Sequence, residues 1–310
     1  MAACLLQALC SGAARRGAVI HIGDGPLPLL LLSIVFLRCT GIATILGEIS
    51  EATPLRFSDR IRRFLVRAAS RTGRFRVVCE TDAVANSWRC VGADSVAVIP
   101  YGVEMRDSDV DQPTARARLS LPSDRPILLL FGVHRSDKDY ATVVRAVTLM
   151  DPAPVLLFAG KTVDPSHDPA AICRQLGYQD AVVVDCFISR EDVQLYFRAA
   201  NAVILPYPPD FCRGSGVILE ACSYECPALV TAGGYLEEFV GVNQVGITYE
   251  AGSPNSLRSG IESILSDSVN QTIRSRMKAV ASQHSTEVVG ALYREVFARS
   301  AASRGVAGQI

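Results

Sequence analysis

Residues 205–234, LPYPPDFCRGSGVILEACSYECPALVTAGG, decide the fold. An apolar strand at Ala202–Leu205 runs into a proline-rich loop, then Gly214-Ser215-Gly216, then a helix pattern beginning near Val217. A helix N-terminus at the carboxyl end of a strand presents unpaired backbone N–H groups and the positive end of the helix dipole. Both favour an anion such as phosphate. Glu220 falls one turn into the helix, about 6 Å along its axis at 1.5 Å per residue. A carboxylate there suits sugar or ribose hydroxyls, because phosphates would repel it. The same residues, taken singly, also describe a plain loop with an N-cap and a dipole-compensating glutamate.

A second turn of this kind lies earlier in the chain. The apolar run Ile127–Phe131 ends in Gly132, followed by VHRSDK (133–138) and a helix pattern over Tyr140–Leu149. Lysine occurs only at 138, 161 and 278; every other basic residue is arginine. Lys138 is a compact charge that would face a diphosphate, and Arg135 is able to bind two oxygens at once. Either residue alone also reads as part of a charged surface turn. Two such turns at the carboxyl ends of strands in one sheet are where open α/β sheets bind ligands.

Four segments, in order, resemble the retaining family-four glycosyltransferases of the GT-B fold. FGVHRSDKDYATVVRAV (131–147) is similar to their phosphate-binding turn, and 205–234 to their donor-binding motif in the subgroup with Ser-Gly-Val entering the helix. IPYGVE (99–104) resembles the sequence ending their first domain, and AANAVILPY (199–207) the strand before the donor loop. The resemblance covers roughly residues 18–283. It implies a nucleotide-sugar donor, with Arg135 and Lys138 as the catalytic cations on the diphosphate. Gly132, Gly214, Ser215, Gly216 and Val217 would line the donor site, and Glu220 would bind the nucleotide ribose. It further implies retention of anomeric configuration, with the leaving phosphate taking the acceptor's proton, and no metal or cofactor.

The chain departs from the pattern in two places. The family's paired glutamates, eight residues apart, would put the first at position 212, which is Cys212. The acceptor-side histidine expected after the strand at 42–46 is replaced by Gly47-Glu48. His21, ending Val19-Ile20-His21, is the acceptor-side candidate, and it also reads as a half-buried strand histidine.

The fold class expected is α/β: GT-B, with two Rossmann-like, doubly wound parallel-sheet domains facing a cleft, the first incomplete at its start. Domain bounds are expected at 1–103 and 125–283, with a linker at 104–124 and a last segment, 284–310, returning toward the first domain. The 310 residues exceed what one core comfortably serves, and 49% hydrophobic content with 20% charge is that of a well-buried globular chain. In the second domain, strands are expected at 127–131, 155–159, 182–185, 202–205, 228–230 and 246–249, alternating with helices. In the first, the pattern gives a helix over 1–14, strand 18–22, helix 26–38, strand 42–46, strand 76–79, helix 81–91 and an extended run at 95–99. A family member would open with a strand and a glycine-rich loop before this point, so either the reading frame starts late or the domain is truncated.

Composition excludes other classes. Net charge is zero and no recognition helix, zinc finger or aromatic-basic pattern appears, so no nucleic-acid partner is expected. Gly23-Asp24-Gly25-Pro26 lacks the third glycine of a dinucleotide fingerprint. Ten cysteines without a Cys-x-x-Cys pair imply a reducing cytosol and no structural metal. The apolar run 27–37 is too short to span a bilayer, which needs about 20 residues.

Arg56–Arg76 holds eight arginines against the single acid Asp59. Ile61, Phe64, Leu65, Ala68 and Ala69 recur at helical spacing as one apolar face. The helix reads either as core-packed with a solvated basic face or as a peripheral contact with anionic membrane at the inner face. The reading reached is transfer of sugar from a nucleotide-sugar to a polysaccharide, lipid-linked or small-molecule acceptor. A catalytically impaired relative that binds a nucleotide sugar or a partner enzyme is the alternative, and an epimerase or hydrolase on the same fold a further one.

Overall fold

A computed structural model describes residues 19–23, 27–37, 40–45, 57–106 and 110–302. The expected helix over 1–14 and the Gly47-Glu48 pair lie outside the described residues. The chain divides into two compact units. Unit 1 comprises 1–101, 212–214 and 287–310; unit 2 comprises 102–211 and 215–286.

Unit 1 is built on a four-stranded parallel sheet in chain order: β1 (Val19–Gly23), β2 (Thr40–Ile45), β3 (Phe75–Cys79) and β4 (Val96–Val98). Strand residues alternate between the two faces of a sheet. Ala43, Val77 and Cys79 share a core with Leu30, Leu31 and Ile34 of α1 (Leu27–Leu37), Val66 and Ala69 of α2 (Phe57–Ser70), and Trp88 of α3 (Asp82–Cys90). The alternate residues Ile42 and Val78 pack with Val289 in a separate cluster that also draws on Tyr293 and Phe297. Both faces are therefore covered, which accounts for the run of apolar residues in β2 and β3.

One expectation is corrected here. Of the predicted apolar face on α2, Ala69 is fully buried and Leu65 packs half-buried on the core as expected, but Ile61 is 44% and Phe64 69% exposed, and Val66, outside that face, is fully buried. The buried side is shifted toward Val66, which with Ala69 and Leu65 packs on the sheet. Arg67 at its margin lays its stem against Gly92 and donates from Nε to the Val91 carbonyl at 3.1 Å.

Unit 2 holds a six-stranded parallel sheet in the order β10-β9-β8-β5-β6-β7. Its strands are β5 (Ile127–Phe131), β6 (Val155–Ala159), β7 (Ala181–Val184), β8 (Ala202–Leu205), β9 (Ala228–Thr231) and β10 (Gly246–Tyr249). The chain adds β6 and β7 to one side of β5, then crosses to build β8, β9 and β10 on the other. Strand order thus reverses between β5 and β8, the place where connections leave a crevice beyond the strand ends.

The stretch 104–124 holds a helix, α4 (Gln112–Arg118), capped by Asp111, whose carboxylate accepts from Thr114 N at 2.9 Å. Arg116 is buried and fastens α4 to the sheet. Its guanidinium donates to the carbonyls of Ala199 and Ser123, each at 3.0 Å, and to Asn201 Oδ1 at 2.8 Å. The same Asn201 oxygen accepts from Ile127 N at 2.8 Å, so the arginine completes the entry to β5.

Candidate functional site

The connection leaving β5 is shaped by two glycines. Gly132 has φ +89°, and the Gly160 backbone approaches so closely that a Cβ on Gly160 would lie 2.2 Å from the Gly132 oxygen. Only glycine fits either place. Beyond them α5 (Tyr140–Val147) begins, its N-cap Asp139 accepting from Thr142 N at 3.0 Å and donating its own N–H to Pro206 O at 2.8 Å. The turn after β5 is therefore tied to the end of β8, across the crevice.

Lys138 is turned inward, only 4% exposed, with Nζ donating to the Phe131 carbonyl at 3.0 Å and lying 5.7 Å from the centre of the Tyr207 ring. Burial, then the neighbouring Arg135 charge, pushes its pKa down to about 8. It is the natural cation for an anionic group entering here, because such a group restores the partner that burial has removed. Arg135 is partly exposed and donates from Nε to Asp137 at 2.8 Å.

Opposite stands α8 (Gly216–Ser223), with Ser215 at its N-cap. The caps Asp111, Asp139, Asp168 and Ser253 each accept from a backbone N–H of the helix they open. Ser215, like Asp192 and Ser266 at other helix starts, makes no such bond, but of these three only its side chain carries a buried oxygen with no hydrogen-bond partner. A buried hydroxyl without a partner is costly, of the order of 1–3 kcal/mol, unless something occupies its site in use. A Cβ built on Gly132 would meet Val217 Cγ2 at 3.6 Å and Lys138 Nζ at 3.8 Å. Gly132, Lys138 and the start of α8 thus converge around one small space.

Glu220, half-buried one turn along α8, has its pKa raised by burial, partly offset by the charges of Arg190 and Arg106. Those arginines share Glu104: Arg190 Nε donates to it at 2.8 Å and Arg106 at 3.1 Å. Arg106 first, then Arg190, hold the Glu104 carboxyl below its ordinary range.

The predicted residues are not all together. Gly132, Arg135, Lys138, Ser215, Gly216, Val217 and Glu220 belong to unit 2. Gly214 groups with unit 1, where a Cβ would lie 2.7 Å from Glu80 Oε2 and where Thr81 Oγ1 donates to the Cys212 carbonyl at 2.6 Å. His21 lies in β1, in register with Ile42 of β2. No group of three or more His, Cys, Asp or Glu side chains set to hold a metal ion occurs among the described residues.

Sequence reading passed over His134. It is fully buried, shares a 2.6 Å hydrogen bond between Nδ1 and the Tyr140 hydroxyl, and has Nε2 buried without a partner. Burial, with Lys138 nearby, lowers its pKa to about 4, so the ring is neutral. His167 Nε2 donates to the Lys138 carbonyl at 2.9 Å. Lys138 is thus held by one histidine on its backbone and adjoins another.

A six-stranded parallel sheet with a strand-order reversal, helices following its strands, defines a doubly wound α/β protein. The comparisons carry this to a family. Residues 111–284, more than half of the chain, match the family described as Glycosyl transferases group 1, and the chain belongs to it. It is 26% identical over 215 residues to D-inositol 3-phosphate glycosyltransferase of Xylanimonas cellulosilytica, covering 63% of this chain and 51% of that protein. The chain spans about half the length of the curated relatives it matches. Among solved structures it is similar to sucrose-phosphate synthase from Thermosynechococcus elongatus, at 22% identity and TM-score 0.72, covering 94% of this chain and 76% of that one. It is similar also to Anabaena HepE in complex with UDP and glucose, at 18% identity and TM-score 0.71, covering 90% and 77%. The fold is that of the GT-B glycosyltransferases, with the first sheet the smaller. Among the described residues no helix is long and apolar enough to cross a membrane.

Proposed function

We propose that the chain moves a sugar from a nucleotide-sugar donor to a glycan, lipid-linked or small-molecule acceptor, with retention of configuration. The observation that carries this is the buried Ser215 hydroxyl, without a partner at the start of α8, while Lys138 stands desolvated beside Gly132. Arg135 and Lys138 hold the donor diphosphate, and the backbone N–H groups of Ser215 and Gly216 add their donors. Negative charge grows on the leaving diphosphate, and groups already fixed in a low-dielectric site stabilise it without reorganising. Glu220 accepts from the ribose hydroxyls, a role suited to a carboxylate kept away from phosphate. The acceptor's proton passes to the leaving phosphate, so the reading asks for no protein base. The HepE structures, described with UDP and with UDP-glucose, favour uridine in the donor.

Calorimetric titration with UDP, GDP and their sugar conjugates tests the reading. One nucleotide should bind to the chain, and Lys138→Ala should weaken it about 100-fold, the scale of a buried charge-assisted contact. Glu220→Ala should weaken the nucleotide but leave inorganic diphosphate unaffected. Absence of binding by the folded chain, or equal loss of diphosphate in Glu220→Ala, would overturn the assignment.

A further inference from the structure

The corrected face of α2 has a function of its own to explain. Helical residues advance 100° each, so Arg60, Phe64, Arg67 and, just past the helix end, Arg71 fall in one stripe with Ile61 at its edge. Arg60, Arg67 and Arg71 are exposed, and Phe64, at the centre of the stripe, is the more exposed of the two apolar residues at 69%. Arg67 is fixed by its bond to the Val91 carbonyl, which holds the stripe in a set orientation on unit 1. The surrounding segment from Arg56 to Arg76 carries eight arginines and one acid.

We propose that this face of α2 docks on an anionic lipid surface, Phe64 and Ile61 entering the acyl boundary while Arg60, Arg67 and Arg71 meet headgroup phosphates. Exposed apolar side chains flanked by cations suit an anionic interface, the apolar groups entering the acyl boundary while the cations stay at the headgroups. Each basic residue at an anionic surface raises partitioning about fivefold. Charge selects this occupant over a second copy of the chain, since two such faces would set arginine against arginine. The inference does not rest on the donor reading, because none of these residues belongs to the donor cluster.

Co-sedimentation of the full chain with vesicles of phosphatidylcholine and phosphatidylglycerol at 7:3, against phosphatidylcholine alone, is the test. Binding should be at least about tenfold stronger to the anionic vesicles and fall with added salt. Phe64→Asp and Arg60→Glu should each lower it at least about fivefold, and Phe64→Trp should retain it. Far-ultraviolet circular dichroism and the thermal melt of the same variants, compared with the native chain, show that they are folded. Equal binding to both vesicles, or undiminished binding by Phe64→Asp, overturns the proposal. Self-association of the chain that Phe64→Asp abolishes would assign the face to a second copy and overturn it likewise.

Discussion

The sheet of unit 2 reverses its strand order between β8 and β5, whereas the described strands of unit 1 follow one another in chain order from β1 to β4. The two units differ in the same way in what they bury. Arg116, His134 and Lys138 lie inside unit 2, while the buried polar residues described in unit 1 are uncharged: Thr40, Ser70, Thr81 and Ser300. In unit 1 Arg60, Arg67 and Arg71 are exposed and Arg63, Arg74 and Arg76 are half-buried. A reversal opens a crevice beyond the carboxyl ends of the strands, where Lys138 and His134 lie. Arg116 lies at the opposite, amino ends of β5 and β8, where backbone carbonyls and Asn201 complete its bonds. Among the described strands of unit 1 no reversal occurs, and none of its described charged residues is fully buried.

The largest effect that would break this contrast is at Arg116. Arg116→Ala leaves the Ala199 and Ser123 carbonyls and Asn201 short of a donor, and should cost on the order of 4 kcal/mol in urea unfolding. Arg60→Ala in unit 1 should stay within about 0.5 kcal/mol. Similar midpoints for the two variants would show that burial of charge does not separate the units.

Next is His134. Its folded pKa, about 4, lies below the unfolded value, so the unfolded chain takes up a proton first as pH falls. Stability present above about pH 6.5 should therefore be lost as pH drops toward 4, by on the order of 3 kcal/mol. Thermal melts of the native chain and of His134→Gln between pH 7 and 4.5 decide it, since the variant should lose most of this slope. An unchanged slope would place the acid sensitivity elsewhere.

Smaller is the pH dependence of nucleotide binding. Lys138, with its pKa near 8, is charged at pH 7, and a bound diphosphate favours that form. Affinity should hold below pH 8 and fall by up to about tenfold per unit above it, until the bound-state pKa is reached. Calorimetry in Tris and in phosphate-free buffers of other ionisation enthalpy should show proton uptake at pH 9. A flat profile would mean that Lys138 does not meet the phosphates.

The smallest effect is expected at Ser215. Ser215→Ala removes an unpartnered buried hydroxyl, so the free protein should be no less stable and nucleotide binding should weaken about threefold to tenfold. Destabilisation of the free protein instead would make the hydroxyl a structural group.

Much of this architecture was legible residue by residue. Short apolar runs bounded by glycine and proline located β5, β6, β8 and β10 at the expected bounds, and β7 one residue early. Lys138 stood out as a lysine shortly after a strand end, and Glu220 as an acid one turn into the next helix pattern. His134 did not, since VHRSDK reads as a surface turn until the turn bridges to Thr162 and the Tyr140 hydroxyl closes over the ring. Glu104 and Arg190 gave no signal either, being 86 positions apart in the chain. The linker expected at 104–124 hid α4, whose single buried arginine looks like any other in a basic, proline-flanked stretch.

By itself the sequence determined what depends on neighbours in the chain: alternating strands and helices, the glycine that ends β5, the serine and glutamate that open α8. These follow from local backbone preferences and from hydrophobic period, which act over a few residues. Tertiary structure alone decided which face of α2 turns inward and which leaves Phe64 in water, because a helix offers several faces and packing selects one. It alone decided that Lys138 and His134 are desolvated and that Ser215 lacks a partner. Burial and hydrogen bonding are set by groups distant in sequence, which no local reading of a charged turn contains.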